Sequence, residues 1–134
     1  MKFLCSLLLV LFGFNLFAHE GAHGPAQKMA PHGGSLFDGK NLMGELVQDE
    51  QGVKIYFLKH DTKAINASEI QIDKSKVTLI DSKNKEVAFE LVGGKEFISI
   101  NFDRSKSYRF NLAVPLLYGK NKDNLSWGFE PQPN

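Results

Sequence analysis

The chain has 134 residues, 43% of them hydrophobic and 23% charged, with 16 Lys+Arg against 15 Asp+Glu and a single cysteine. That length suits one domain and leaves little room for a second. The near-neutral balance provides no global electrostatic footprint for nucleic acid or an anionic membrane surface, and one cysteine excludes a disulfide framework within the chain.

Met1 and Lys2 are followed by an almost unbroken apolar run from Phe3 to Ala18. A short positive start, an apolar stretch and a small residue at its end read as an export signal over residues 1–18. The run falls short of the roughly 20 apolar residues a membrane span needs, and no second such run follows it. Cleavage is expected after Ala18, although Leu16 is larger than the residue preferred three positions before the cut. Cys5 lies near the beginning of the run and not at its end, which argues against a lipoprotein. Removal of the signal takes Lys2 and Cys5 with it. The mature chain is then formally neutral and thiol-free, so Cys nucleophiles and thiolate metal ligands are excluded. Its compartment is expected to be the periplasm or the exterior.

Residues 19–34, "HEGAHGPAQKMAPHGG", hold three of the four histidines and one large apolar residue, Met29. With nothing to bury a face, this stretch reads as a flexible His/Gly-rich arm. From Ser35 to Asn134 the texture changes to short alternating runs separated by turn residues. "GELVQ" (44–48) and "VKIYFLKH" (53–60) flank Gly52 and predict a hairpin. "ASEIQID" (67–73) is a weaker strand. "KVTLID" (76–81), the turn "SKNK" and "EVAFELV" (86–92) predict a second hairpin, with Val87, Phe89 and Leu91 on one face. "EFISINF" (96–102) aligns Ile98, Ile100 and Phe102. "SYRFNLAV" (107–114) aligns Tyr108, Phe110, Leu112 and Val114, and Pro115 suits a strand end or an edge. "NLSWGFE" (124–130) turns Leu125, Trp127 and Phe129 inward. About seven strands with one apolar face predict an all-β, single antiparallel β-sandwich of Ig-like type, a small barrel being the other arrangement of such strands.

The histidines carry the chemistry. Neutral imidazole suits zinc, copper and nickel ions. His19 and His23 are four positions apart, and His32 follows nine later. If cleavage falls after Ala18, the α-amino group and imidazole of His19 can chelate one ion together, a nitrogen-rich set that favours Cu(II). His23 or His32 would add a third donor, Glu20 is the nearest carboxylate, and Met29 could assist Cu(I). The bland alternative is that these histidines are solvated linker residues. His60, in "KHDTK", fits turn chemistry better than ligation.

Catalytic readings fare worse. There is no G-x-S-x-G elbow. "HEGAH" matches the letters of the zinc-protease motif H-E-x-x-H, but that motif works on a helix, and Gly21, Gly24 and Pro25 oppose one. The chain is therefore expected not to be an enzyme; a zinc hydrolase would require a helical first segment. Eleven Phe, three Tyr and one Trp could suggest a stacking platform. Four Phe belong to the signal, however, and most of the rest alternate inward, with Trp127 as the expected central core residue.

"PHGGSLF" (31–37), "GELVQDEQGVKIYFLKHD" (44–61), "SYRFNLAVP" and "EPQ" resemble a small periplasmic β-domain. That domain stands at the N-terminus of some heavy-metal efflux adaptor subunits and also as short exported proteins with a PHGG lead-in. The resemblance covers most of the mature chain, and the lead-in is its most specific part. It implies a periplasmic role in binding or passing on a transition-metal ion, with His32 matching the family's lead-in histidine. The long helical hairpin and further β-domains of an adaptor are missing, so any link to efflux components is one of association. The expected function is thus a periplasmic metal-binding protein using His19, His23 and His32, with Cu(II) favoured over Zn, Ni or Co, bound reversibly. The alternative is an Ig-like envelope or surface module for a protein or polysaccharide, with the arm as spacer. Intact-mass spectrometry of the exported protein should show His19 as the first residue; any other start removes the amino-terminal chelate.

Overall fold

The computed structural model describes residues 28–133. The predicted signal, His19 and His23 lie outside the described residues. Ten strands form within them: β1 (Ser35–Asp38), β2 (Met43–Asp49), β3 (Gly52–Leu58), β4 (Ala64–Ile65), β5 (Ile70–Gln71), β6 (Thr78–Asp81), β7 (Phe89–Val92), β8 (Phe97–Phe102), β9 (Phe110–Tyr118) and β10 (Asn121–Phe129). The helical content of these residues is confined to three-residue 3₁₀ turns at Ala67–Glu69, Lys74–Lys76 and Arg104–Lys106. No helix among them is long and apolar enough to cross a membrane.

The strands make two antiparallel sheets. The first has six strands in the order β1-β2-β3-β8-β7, with β4 added against β3; the second has four, in the order β10-β9-β5, with β6 also against β9. Alternation along each strand turns one face inward. Leu46, Val53, Ile55 and Ile100 from the first sheet join Leu112, Val114 and Leu125 from the second in one buried cluster. The chain is therefore all-β with a sandwich-like core, as its alternating runs imply. Trp127 belongs to that core: it is 6% exposed, its ring meets Phe37 edge-on at 5.9 Å, and its indole N–H donates to the Ser35 carbonyl at 3.0 Å. This bond ties β10 of one sheet to β1 of the other.

The first hairpin forms where expected. β2 and β3 pair from Met43↔Leu58 to Asp49↔Gly52, around Glu50 and Gln51. The Asp49 carboxylate accepts the Gln51 and Gly52 N–H groups, both at 2.9 Å. Gly52 has φ +151, and a Cβ there would sit 2.1 Å from the Ile100 carbonyl oxygen.

The second hairpin does not form. β6 pairs with β9 and β7 with β8, so the two runs lie in different sheets. Only one bridge, Ile80↔Glu86, joins them, beside a turn in which Asp81 accepts the Lys83 and Lys85 N–H groups. Alternation of Val87, Phe89 and Leu91 tells which face is buried but not to which sheet a strand belongs, because both sheets bury the same core. Tyr108 is a second correction: it is 74% exposed. The 3₁₀ turn at Arg104–Lys106 and the bend after it delay the strand until Phe110. Pro115 lies inside β9, neither at its end nor on an edge strand. β6 pairs residues 110–113 of β9 and β5 pairs 117 and 118, so the proline falls where neither reaches. The weak run 67–73 supplies only the two-residue β5 after a 3₁₀ turn.

Asp123 of β10 organises the loop between β1 and β2. Its carboxylate accepts N–H groups from Asn41 at 2.7 Å, Lys40 at 3.1 Å, Leu42 at 3.2 Å and Asn124 at 2.9 Å. Partial burial works to raise this carboxyl, but the Asn41, Lys40, Asn124 and Leu42 donors outweigh it and hold the group below its ordinary value. A depressed folded-state value means the stabilisation is complete above the unfolded carboxylate value of about 3.9 and is lost as pH falls through the lower folded one. Asp123→Asn should cost about 1–3 kcal/mol at neutral pH and flatten the acid limb of the stability profile, measured by urea unfolding from pH 7 downward.

Candidate functional site

Directly paired residues of an antiparallel sheet point to the same side. The registers Leu36↔Glu45, Glu45↔Tyr56 and Tyr56↔Phe97 therefore place these four side chains in one row. The inward residues Phe37, Leu46, Ile55 and Ile98 alternate with them, so the row is on the outer face of the six-stranded sheet. Two residues along, Asp38, Met43 and Leu58 make a parallel row. This outer face is far from fully wet: Glu45 is 0% exposed, Leu58 1% and Met43 2%.

The residues leading into β1 lie across it. Lys28 Nζ is 3.7 Å from Met43 Sδ, and the Ala30 carbonyl accepts the Gly33 N–H at 3.1 Å, closing a turn around Pro31 and His32. Proline pre-sets the backbone for the second position of such a turn. Gly33 takes φ +73, which glycine adopts without a Cβ penalty. Gly34 meets β2 so closely that a Cβ would lie 2.3 Å from the Leu46 carbonyl oxygen. Each residue of Pro31-His32-Gly33-Gly34 thus has a physical task, and residues 28–34, assigned from sequence to the arm, are held against the sheet.

The turn delivers its donors to one carboxylate. Glu45 Oε1 accepts the backbone N–H of His32 at 2.8 Å and of Gly34 at 2.9 Å. Its other oxygen, Oε2, meets His32 Nδ1 at 2.8 Å. A buried carboxylate is strongly unfavourable unless its oxygens are satisfied, and here both are. The His32 ring also stacks on Tyr56, with centroids 3.7 Å apart and planes 12° from parallel. Tyr56 in turn leans on Phe97 at 5.3 Å, and Lys54 lies over the Phe97 ring at 4.9 Å. The His32 side chain remains 40% exposed, and among the described residues no hydrogen bond engages its Nε2.

His60 sits on the same side, beyond the end of β3. Its Nδ1 pairs with Asp38 Oδ1 at 2.8 Å, and both side chains are substantially exposed. The turn chemistry expected of "KHDTK" belongs to its neighbours: Asp61 accepts the Lys63 N–H, and Thr62, at φ +71, donates to the Lys59 carbonyl. Of the predicted ligands, His32 is therefore placed, while His19 and His23 fall outside the described residues. Within those residues no group of three or more His, Cys, Asp or Glu side chains could hold a metal ion.

Sequence reasoning missed Glu45 and Tyr56. The signal that points to Glu45 is a lone acid inside the apolar stretch Met43–Val47, where a solvated face would carry several polar residues. Tyr56 carries no signal beyond its β propensity. A separate groove of about 800 Å3 opens on the other sheet, lined by Ile72, Pro115 and Leu117 and by Lys40, Lys76 and Lys122. The two carboxylates at this groove are engaged, Asp123 as described and Asp73 by the Ser75 N–H and hydroxyl.

No known protein family matches the chain, and neither a curated protein nor a solved structure is found to be similar to it.

The lead-in geometry predicts a contrast between glycines. Gly34→Ala, forced against the Leu46 carbonyl, should lose about 1–3 kcal/mol. Gly93→Ala has nothing within 4 Å of the added methyl and should stay within about 0.5 kcal/mol of the parent, both measured by denaturant unfolding.

Proposed function

We propose that the chain is an exported, periplasmic metal-binding protein, without catalytic activity, that takes up Cu(II) reversibly through His19, His23 and His32 and supports metal homeostasis or efflux. Zn, Ni and Co ions fit the same donors less well or less selectively. The observation that carries this reading is His32: its Nδ1 is committed to a buried carboxylate, its ring is stacked and half-exposed, and it stands where a histidine-rich segment joins the fold. A metal-binding imidazole characteristically gives its second nitrogen to a carboxylate or carbonyl. His32 then supplies one anchored donor, and the amino-terminal group with His19 and His23 supplies the rest.

Capture by ligand exchange follows from the donor set. The imidazoles must be neutral to bind, so affinity should fall as pH drops below about 6.5. Ordering a glycine-containing segment around the ion opposes binding, which suits delivery or buffering better than permanent retention. An association with efflux components rests on the PHGG resemblance.

The second reading, an envelope or surface module for a protein or polysaccharide, draws on the groove at Pro115 and Leu117 with its lysines. Isothermal titration of the mature protein with Cu(II) and Zn(II), against a His19→Ala/His23→Ala/His32→Ala variant, separates the two. The metal reading predicts that the variant loses most of the Cu(II) heat. Equal heats from both proteins leave the binding-module reading in possession.

A further inference from the structure

We infer that Glu45 is a positioning residue for His32, fixing the ring so that it ligates a transition-metal ion through Nε2. This deepens the metal reading above and rests on it. An ionised carboxylate only accepts hydrogen bonds, and of an imidazole–carboxylate pair the imidazole is the more basic member. The proton between Glu45 Oε2 and His32 Nδ1, 2.8 Å apart, therefore belongs to Nδ1. In the neutral ring Nε2 must then carry the lone pair, the form a metal ion requires.

A purely structural role would not need a charge. The His32 and Gly34 N–H groups converge on Oε1, and a neutral acceptor could satisfy them without the desolvation of a carboxylate that is 0% exposed. What the charge adds acts on the imidazole: it selects one tautomer and raises the basicity of the remaining nitrogen. The stack on Tyr56, 12° from parallel, fixes the plane of the ring. The hydrogen bond sets which nitrogen is offered, and the stack sets the direction in which it is offered.

The test uses the mature full chain with ¹⁵N-labelled histidine. Long-range ¹H–¹⁵N spectra should show His32 as the Nδ1–H tautomer, with Zn(II) perturbing Nε2 and leaving Nδ1 protonated. Glu45→Gln should erase that tautomer bias and weaken Cu(II) binding about 10- to 100-fold, the usual loss when a ligand's supporting partner is removed. The decisive comparison is the same substitution in a His32→Ala background. There Glu45→Gln should change Cu(II) affinity less than twofold, because it acts through His32 alone. Equal losses in both backgrounds, no loss in either, or an Nε2–H tautomer in the parent protein would each overturn the inference while leaving metal binding intact. Should the Gln variant fail to fold, the parent tautomer and its response to Zn(II) decide the matter. A parent protein that takes up neither metal would instead sink the metal reading itself, and this inference with it.

Discussion

A carboxylate shut away from water on the outer side of a sheet is the constraint around which the amino-terminal part of this domain is arranged. Glu45 cannot be satisfied by its own strand, whose backbone groups are committed to β1 and β3. Its donors come from the turn before β1: two backbone N–H groups and the His32 imidazole. Delivering all of them to one side chain requires the Ala30–Gly33 turn, the positive φ of Gly33 and the close pass of Gly34 over β2. Breaking such an arrangement by removing one partner is far costlier than never building it. The lead-in is consequently part of the fold.

The sheets supply the frame for that contact. The shared apolar cluster fixes which side of each strand faces inward, and by alternation this sends Glu45 and Tyr56 outward together. The Trp127 bond to Ser35 holds β1 against the second sheet from the inner side, while the Glu45 contacts hold the residues before it from the outer side. Asp123 secures the loop that follows β1. The short first strand is therefore anchored before, along and after its length, and His32 inherits that rigidity.

Much of the fold was legible because alternation is a direct record of burial. Ile98 and Ile100, Leu112 and Val114, and Leu125, Trp127 and Phe129 are inward and buried as their spacing implies. What alternation does not record is partnership. The runs at 76–81 and 86–92 look like a hairpin because a turn joins them, yet a single bridge forms before the chain passes to the other sheet. Nor does alternation mark where a strand starts, which is why Tyr108 is exposed, or a gap between neighbouring strands, which is what accommodates Pro115. Of the candidate site, the Pro-His-Gly-Gly motif was conspicuous, but its purpose was not. Glu45 lies 13 residues from His32 in sequence, and only the pairing of β1 with β2 brings them together.

The chemistry that follows is that of a ligand held in advance. Most histidines on exported segments are free to rotate, whereas His32 has its ring plane set by Tyr56 and one nitrogen set by Glu45. Pre-ordering one donor lowers the entropy that remains to be lost when less ordered donors close around an ion. Pulsed electron paramagnetic resonance of the Cu(II)-loaded mature protein measures this most directly, since the modulation from each imidazole's distal nitrogen counts the rings bound to copper. The account predicts at least two bound imidazoles, with one lost on His32→Ala. A copper signal without imidazole modulation, or one unchanged by that substitution, would contradict it.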